Sequence, residues 1–249
     1  MSEELFQTFP YLRECKAVVQ TVDADAGSFT VNRTVFYPTG GGQPGDIGVY
    51  FDSSDREYPI TDTQRNRATG DIDHFIEDLA QLPQVGDTIY LEIDWERRHR
   101  LMRMHSCLHL LCAVISGKVT GAQVYDGRGR VDFDTSETYD KNQLSTSLNL
   151  LIEQNAQCQS LSYSTAELSA NPELVDSLSV PVPPIEGSVR LVHFDGIDIQ
   201  PCGGTHVANT EEIGHVKVVK IESKGRHNRR ISVVLDDRNS SSEYDSSDN

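Results

Sequence analysis

The order of apolar and polar positions divides the chain into two parts. Over the first 93 residues, short apolar stretches recur between turn residues: Ala17 to Val22, Ser28 to Tyr37, Ile47 to Phe51, Ile72 to Ile76 and Thr88 to Ile93. They are rich in Val, Ile, Thr and Phe, so they read as strands. Asp23-Ala24-Asp25-Ala26-Gly27 separates the first two as a hairpin turn. Several short strands with frequent turns predict a small N-terminal β-barrel over residues 1–93, with loops at 52–70. From Asp94 the apolar period lengthens. Leu101, Leu108, Leu111 and Val114 mark the stripe of a helix from Trp95 to about Ser116, with Asp94 as its cap. A turn with Gly121, Gly127 and Gly129 is expected next, then a strand at Val131 to Asp134. Leu144, Leu148, Leu151 and Ile152 predict a second helix. Strands follow at Leu161 to Ser164, Val189 to Phe194, Ile197 to Gln200, Val216 to Ile221 and Ile231 to Leu235. The expected fold class is α+β: the barrel, then an α/β domain over 94–238 with helices packed on a mostly antiparallel sheet. Residues 239–249 offer almost nothing to bury and read as a disordered acidic tail.

Composition narrows the classes. In 249 residues no apolar run approaches the ~20 needed to span a bilayer. Met1-Ser2-Glu3-Glu4 lacks the basic and apolar regions of a secretory signal, so a cytoplasmic protein without a membrane partner is expected. Five widely spaced cysteines do not form a disulfide framework; as reduced thiols they are metal ligands or small buried groups. The net charge of −16 repels a phosphate backbone unless the basic residues are segregated. They do cluster: Arg97, Arg98, Arg100 and Arg103 in one stretch, Lys217, Lys220, Lys224, Arg226, Arg229 and Arg230 in another. Such runs are ordinarily solvated faces; a nucleic-acid reading needs both to border one site.

Two pairs of potential metal ligands stand out. His105 and His109 are four apart in the first helix, so their Cβ atoms lie about 5–6 Å apart on one face. Cys202 and His206 flank Gly203, Gly204 and Thr205, a segment that folds tightly. Either pair alone has a plain reading, as surface or packing histidines and as a turn with a buried cysteine. Together, three imidazoles and one thiolate make a donor set suited to Zn²⁺.

HxxxH followed much later by CxxxH resembles the editing domain shared by alanyl- and threonyl-tRNA synthetases and by freestanding editing proteins. The resemblance extends to Arg97 to Leu111, to Gly127 to Asp134, to Asp198-Ile199-Gln200-Pro201 and to Lys224 to Ile231. Phe36-Tyr37-Pro38-Thr39-Gly40-Gly41-Gly42-Gln43-Pro44 resembles the glycine-rich motif of alanyl-type editing proteins, which threonyl-type domains lack. The chain is thus similar to freestanding alanyl-tRNA editing proteins of the AlaX type along nearly its whole length.

That resemblance implies a zinc-dependent hydrolase acting on a wrongly attached amino acid, serine first and glycine second, on alanine tRNA. His105, His109, Cys202 and His206 are the expected zinc ligands and act catalytically through the ion. Four protein ligands ordinarily mean a closed site, three plus water a catalytic one, so His206 is expected to yield to water or substrate. Thr39, Gly40, Gly41, Gly42, Gln43 and Thr205 are the expected substrate contacts, although the three glycines are also an ordinary turn. Arg97, Arg100, Lys224, Arg226, Arg229 and Arg230 are the expected tRNA contacts; no obligate protein partner is expected. Asp132 and Asp134 share one strand face, either as solvent-exposed groups or as partners of the zinc histidines. Two alternatives stay open: an inactive zinc-stabilised tRNA-binding module, and a zinc hydrolase of an unrelated small ester.

Overall fold

The computed structural model describes residues 2–172, 174, 180 and 187–237. The expected tail at 239–249 lies outside the described residues. The chain divides into two compact units, residues 1–99 and 100–249.

The first unit contains β1 (Glu3–Glu4), α1 (Leu5–Thr8), β2 (Glu14–Asp23), β3 (Ser28–Val31), β4 (Arg33–Thr34), β5 (Gly48–Phe51), β6 (Glu57–Ile60), β7 (Asp62–Arg65), β8 (Ile72–Phe75) and β9 (Thr88–Ile93). Seven strands form one antiparallel sheet in the order β6-β5-β9-β2-β3-β8-β7. Alternation along β9 turns Ile89, Leu91 and Ile93 inward, against Ala17, Val19, Phe29, Val31 and Tyr50. The end strands β6 and β7 are separated in the chain by Thr61 alone, and among the described residues no ladder joins them into the expected barrel. They also replace the loops expected at 52–70. Pro59 and the polar run Asp62-Thr63-Gln64-Arg65 hid them, and a proline is tolerated because β6 is an edge strand. Ser28 to Tyr37, expected as one strand, pairs only as β3 and β4; Val35, Phe36 and Tyr37 continue as buried but unladdered chain.

His74 sits in this core at 0% exposure, stacked on Phe29 and edge-on to Phe36. Its Nδ1 is 3.3 Å from the Phe29 carbonyl and its Nε2 2.8 Å from Thr34 Oγ1. The Phe29 carbonyl can only accept, so the proton is on Nδ1, and in the neutral imidazole Nε2 accepts from the Thr34 hydroxyl, whose oxygen also accepts the Phe36 N–H. Burial pulls its pKa down from 6.5 to about 4. The unfolded chain therefore binds this proton first, and the stability tied to a neutral His74 is complete above pH 6.5 and lost as pH falls toward about 4. The loss expected is about 3 kcal/mol. Urea midpoints across that window test it: the fall should shrink in His74→Gln, and an equal fall in both proteins would clear His74.

Helix α2 (Trp95–Val114) begins in the first unit and ends in the second. Asp94 caps it as expected, accepting the Arg97 N–H at 3.0 Å. Trp95 is a packing residue, half-buried against the sheet core with the Arg13 guanidinium 4.4 Å over its ring. In the second unit, β10 (Lys118–Tyr125), β11 (Arg128–Asp134), β15 (Val216–Gly225) and β16 (Asn228–Leu235) form an antiparallel sheet ordered β10-β11-β16-β15. A second sheet joins β12 (Cys158–Ser164), β13 (Ser188–Phe194) and β14 (Asp198–Pro201) in chain order. Helix α3 (Lys141–Glu153) buries Leu144, Leu148 and Ile152, and a short α4 (Thr165–Ser169) follows β12. The expected turn at Gly121, Gly127 and Gly129 is instead the β10–β11 hairpin, of which only Gly127 forms the turn. Gly121 sits at an irregularity of β10. Gly129 lies under α2, where a Cβ would come within 2.8 Å of Met104 Sδ, so its lack of a side chain sets how closely helix and strand pack. Both units mix α and β structure around antiparallel sheets. Among the described residues no helix is long and apolar enough to cross a membrane.

Candidate metal centre

The 20-residue helix α2 presents His105 and His109 on one face, with ring centroids 5.3 Å apart. The chain leaving β14 brings Cys202 and His206 to that face. Cys202 Sγ lies 3.5 Å from His105 Nε2 and 3.3 Å from His206 Nε2, and the His206 ring is 4.3 Å from that of His105 and 4.4 Å from that of His109. One ligand atom from each of the four lies within 4.8 Å of the others. The histidines are 3–6% exposed.

Three residues position this group. Ser106, fully buried on α2, places Oγ 3.1 Å from His206 Nδ1 and accepts the Val207 N–H at 3.2 Å. His206 is thus held at both ring nitrogens. Asp198 of β14 places Oδ2 3.4 Å from His109 Nδ1, a buried atom with no aligned hydrogen bond. With Nδ1 turned to Asp198, Nε2 of His109 is the nitrogen left for an ion. Arg190 of β13 donates to the carbonyls of Cys202 (2.7 Å) and Gly204 (2.9 Å), and the Cys202 N–H returns to the Arg190 carbonyl at 3.1 Å. This brace fixes the glycine-containing turn, which the sequence predicted to fold tightly. Thr205 is buried at 1%.

The shifts favour the ligating forms of Cys202 and His206, whereas His109 has to release a proton to bind an ion. Burial pushes the Cys202 thiol up, but the facing rings of His105 and His206 outweigh it and hold it well below its usual value. His206 is driven well below the ordinary imidazole value by burial and then by His105. Burial pulls His109 down, yet Asp198 and Cys202 more than reverse this and raise it to about 9. Thiolate and neutral imidazole are the forms that bind metal. Cys107, Cys112 and Cys158, pushed up to about 12 by burial, are inert thiols by comparison.

Comparison with known proteins places this arrangement. Residues 189–232 match the family model of the threonyl and alanyl tRNA synthetase second additional domain, and residues 6–97 that of tRNA synthetases class II (A). The alanyl-tRNA editing protein AlaX-M of Methanosarcina barkeri is 36% identical over 248 residues, covering 95% of this chain and 100% of its own length. The chain belongs to the AlaX family of alanyl-tRNA editing proteins. The AlaX-L protein of Pyrococcus horikoshii is 32% identical over 93% of this chain and 57% of its own. An alanine–tRNA ligase of Saccharolobus islandicus is 32% identical over 89% of this chain, which spans 25% of that enzyme.

The AlaX-type glycine-rich motif lies in the first unit and is an ordered tight turn. Gly40 and Gln43 exchange both backbone hydrogen bonds (3.0 and 2.8 Å), and Gly41 and Gly42 have φ of +55° and +81°, as a type I′ turn requires. The turn reading of these glycines is therefore correct. Thr39 is exposed, donates its N–H to Thr63 O at 2.9 Å and accepts the Gly45 N–H on Oγ1 at 2.8 Å. Its hydroxyl proton is not used by that bond. Gln43 is buried at 1%.

The basic residues singled out in the sequence engage the protein itself. Arg97 donates to Gly45 O at 2.8 Å, and Arg100 grips Asp126 through two bonds of 2.6 and 2.9 Å. Arg230 grips Asp132 through two bonds of 2.7 Å, Lys224 reaches Glu222 at 3.1 Å, and Arg229 bonds the Glu137 and Ser136 carbonyls. Arg226 is exposed. Arg98, read in the sequence as part of a surface cluster, is fully buried. Asp132 serves Arg130 and Arg230, and Asp134 is exposed; the histidine partner considered for them is Asp198 instead.

Proposed function

We propose that the chain is a trans-editing deacylase. It hydrolyses the ester joining a wrongly attached amino acid, serine foremost and glycine second, to the 3′-terminal adenosine of alanine tRNA, and acts in the cytoplasm. The observation that carries the reading is the convergence of His105, His109, Cys202 and His206 in a chain 36% identical to an AlaX-M protein.

The donor set supports zinc as the ion. A tetrahedral zinc with bonds of about 2.0–2.1 Å to nitrogen and about 2.3 Å to sulfur sets its ligand atoms about 3.3–3.6 Å apart. The Sγ–Nε2 separations of 3.5 and 3.3 Å match that span. When bound, zinc supplies Lewis-acid polarisation and a lowered pKa for water. The chain's own residues do the rest. Asp198 orients His109, and Ser106 holds His206 so that yielding its place costs the Ser106 bond as well. Arg190 keeps Cys202 in place by fixing the turn on both sides.

Purified metal-loaded protein should deacylate seryl-tRNA, more slowly glycyl-tRNA, and leave alanyl-tRNA. Tight tRNA binding without turnover would favour the inactive module. Turnover of small serine esters, with salt-independent activity on whole tRNA, would favour the unrelated hydrolase.

In this reading Thr39 reads the serine hydroxyl from the glycine-rich turn, with Gln43 and Thr205 as further contacts. Thr39→Val removes a hydrogen-bonding group worth ~0.5–1.5 kcal/mol, so kcat/KM on seryl-tRNA should fall roughly threefold to tenfold. Glycyl-tRNA, which offers no hydroxyl, should fall less, and Thr39→Ser should restore the seryl rate. Because Thr39 Oγ1 also ties Gly45, an equal drop for both substrates would reassign it to holding the turn.

A further inference from the structure

The sheet β10-β11-β16-β15 has an outer face that the hydrolytic chemistry does not use. Along β11, alternation turns Gly129, Val131 and Phe133 inward, Gly129 meeting Met104 and Leu108 of α2, and turns Arg128, Arg130 and Asp132 outward. The register carries this across the sheet: Arg130 lies opposite Ser232, and Ser232 opposite Lys220. Tyr125, 40% exposed, flanks the hairpin turn, with the Arg128 guanidinium 4.9 Å from its ring centroid. Tyr125, Arg128, Arg130, Val219, Lys220 and Ser232 line a shallow hollow of about 380 Å³. At its rim Arg130 pairs with Asp132 at 3.1 Å and Lys220 with Glu222 at 3.0 Å, so a phosphate has to compete with these exposed pairs. Cations outnumber carboxylates on the face, with Arg128, Arg130, Lys220 and Arg230 against Asp132 and Glu222.

On a chain of net charge −16, such a hollow is where a polyanion is attracted while much of the surface repels it. Its shape and chemistry also match RNA: spaced guanidinium and ammonium donors for phosphates, beside an exposed aromatic ring on which a base can stack. We propose that this outer face docks the backbone of the tRNA, with phosphates on Arg128, Arg130 and Lys220 and a nucleoside against Tyr125. The proposal rests on the reading of tRNA as substrate and adds Arg128, Arg130 and Lys220 to the expected tRNA contacts, of which Arg230 lies on this same face beside Asp132. The sheet separates this face from α2 and its histidines, so the face contributes to binding the tRNA body and not to the bond-breaking step.

The test uses the full chain loaded with metal and uncharged alanine tRNA, followed by fluorescence anisotropy across a salt series. Arg128 and Lys220 are both exposed, so Arg128→Ala/Lys220→Ala should fold normally, which its thermal midpoint checks. Its affinity should fall about tenfold at low salt, and the slope of log affinity against log salt should flatten by about one per charge removed. Lys16→Ala/Arg56→Ala makes the same charge change at exposed sites in the first unit and should change little. Lys220→Glu alone should shift affinity in the same direction. In deacylation, the Arg128/Lys220 variant should lose kcat/KM on seryl-tRNA through KM, with kcat and the hydrolysis of the serine ester of adenosine unchanged. Unaltered affinity and slope in that variant, or an equal loss in the Lys16/Arg56 control, would overturn the proposal. Should the wild type bind tRNA through this face but leave seryl-tRNA intact, the docking face stands and the deacylase reading fails.

Discussion

Cys202→Ala is expected to empty the metal centre and abolish deacylation, a loss on the order of a hundredfold or more. The sulfur lies 3.5 Å and 3.3 Å from the Nε2 atoms of His105 and His206, so it belongs to the same cluster as both rings. Its removal leaves three imidazoles and takes away the one anionic donor. The fold should survive, because Arg190 grips the backbone carbonyls of Cys202 and Gly204, which a change of side chain leaves in place. Elemental analysis of the purified variant, beside its activity and thermal midpoint, reads the three effects separately. Wild type should carry about one zinc per chain. Ser106→Ala and Asp198→Asn keep all four ligands but loosen His206 and His109, and each should weaken metal affinity about 10–100-fold. Metal retained in full by Cys202→Ala would remove Cys202 from the ligand set and take the zinc reading with it.

The two pairs of candidate ligands were legible in the sequence because each pair is local. Four residues along a helix is one turn, so the convergence of His105 with His109 needs no knowledge of the tertiary fold. The residues that hold them in place could not be read that way. Ser106 meets His206 across 100 positions and Arg190 meets Cys202 across 12, contacts set by how α2, β13 and the turn after β14 pack. Asp132 was a reasonable candidate by strand alternation, yet that alternation puts it on the face of β11 turned away from α2, where Arg130 and Arg230 neutralise it. Elements went unread where composition concealed them. Gly121 resembles a turn residue but lies inside β10, and Pro59 argues against a strand except at a sheet edge, where β6 runs. The arginine runs were visible as charge, but not as the internal donors that Arg97, Arg98 and Arg100 are.

Asp46→Ala should destabilise the first unit by about 3–5 kcal/mol, the cost of leaving a buried ion without its partner. Arg98, in the first turn of α2, and Asp46 are 0% and 1% exposed. Arg98 Nε donates to both carboxylate oxygens at 2.9 Å, Nη2 reaches Asp46 Oδ2 and, at 2.7 Å, the Val35 carbonyl, and Nη1 reaches the Pro10 carbonyl at 3.2 Å. Asp46 in turn accepts the Tyr37 N–H at 2.6 Å and returns its own N–H to the Tyr37 carbonyl at 2.9 Å. One buried pair therefore closes the base of the segment from Tyr37 to Asp46 that carries Thr39 and the glycine turn. Lysine cannot replace the guanidinium, since a single ammonium cannot reproduce a planar fork that serves a carboxylate and two carbonyls at once. Arg98→Lys should thus be clearly destabilised although charge is kept. Asp46→Asn, which keeps an acceptor for the Tyr37 N–H, should lie between wild type and Asp46→Ala. Urea unfolding gives the order, and hydrogen exchange at the Thr39 and Gly45 amides shows whether the turn loosens before the unit unfolds. A cost below about 1 kcal/mol for Asp46→Ala would mean that water reaches the guanidinium and that the pair is not the clamp of the glycine-rich turn.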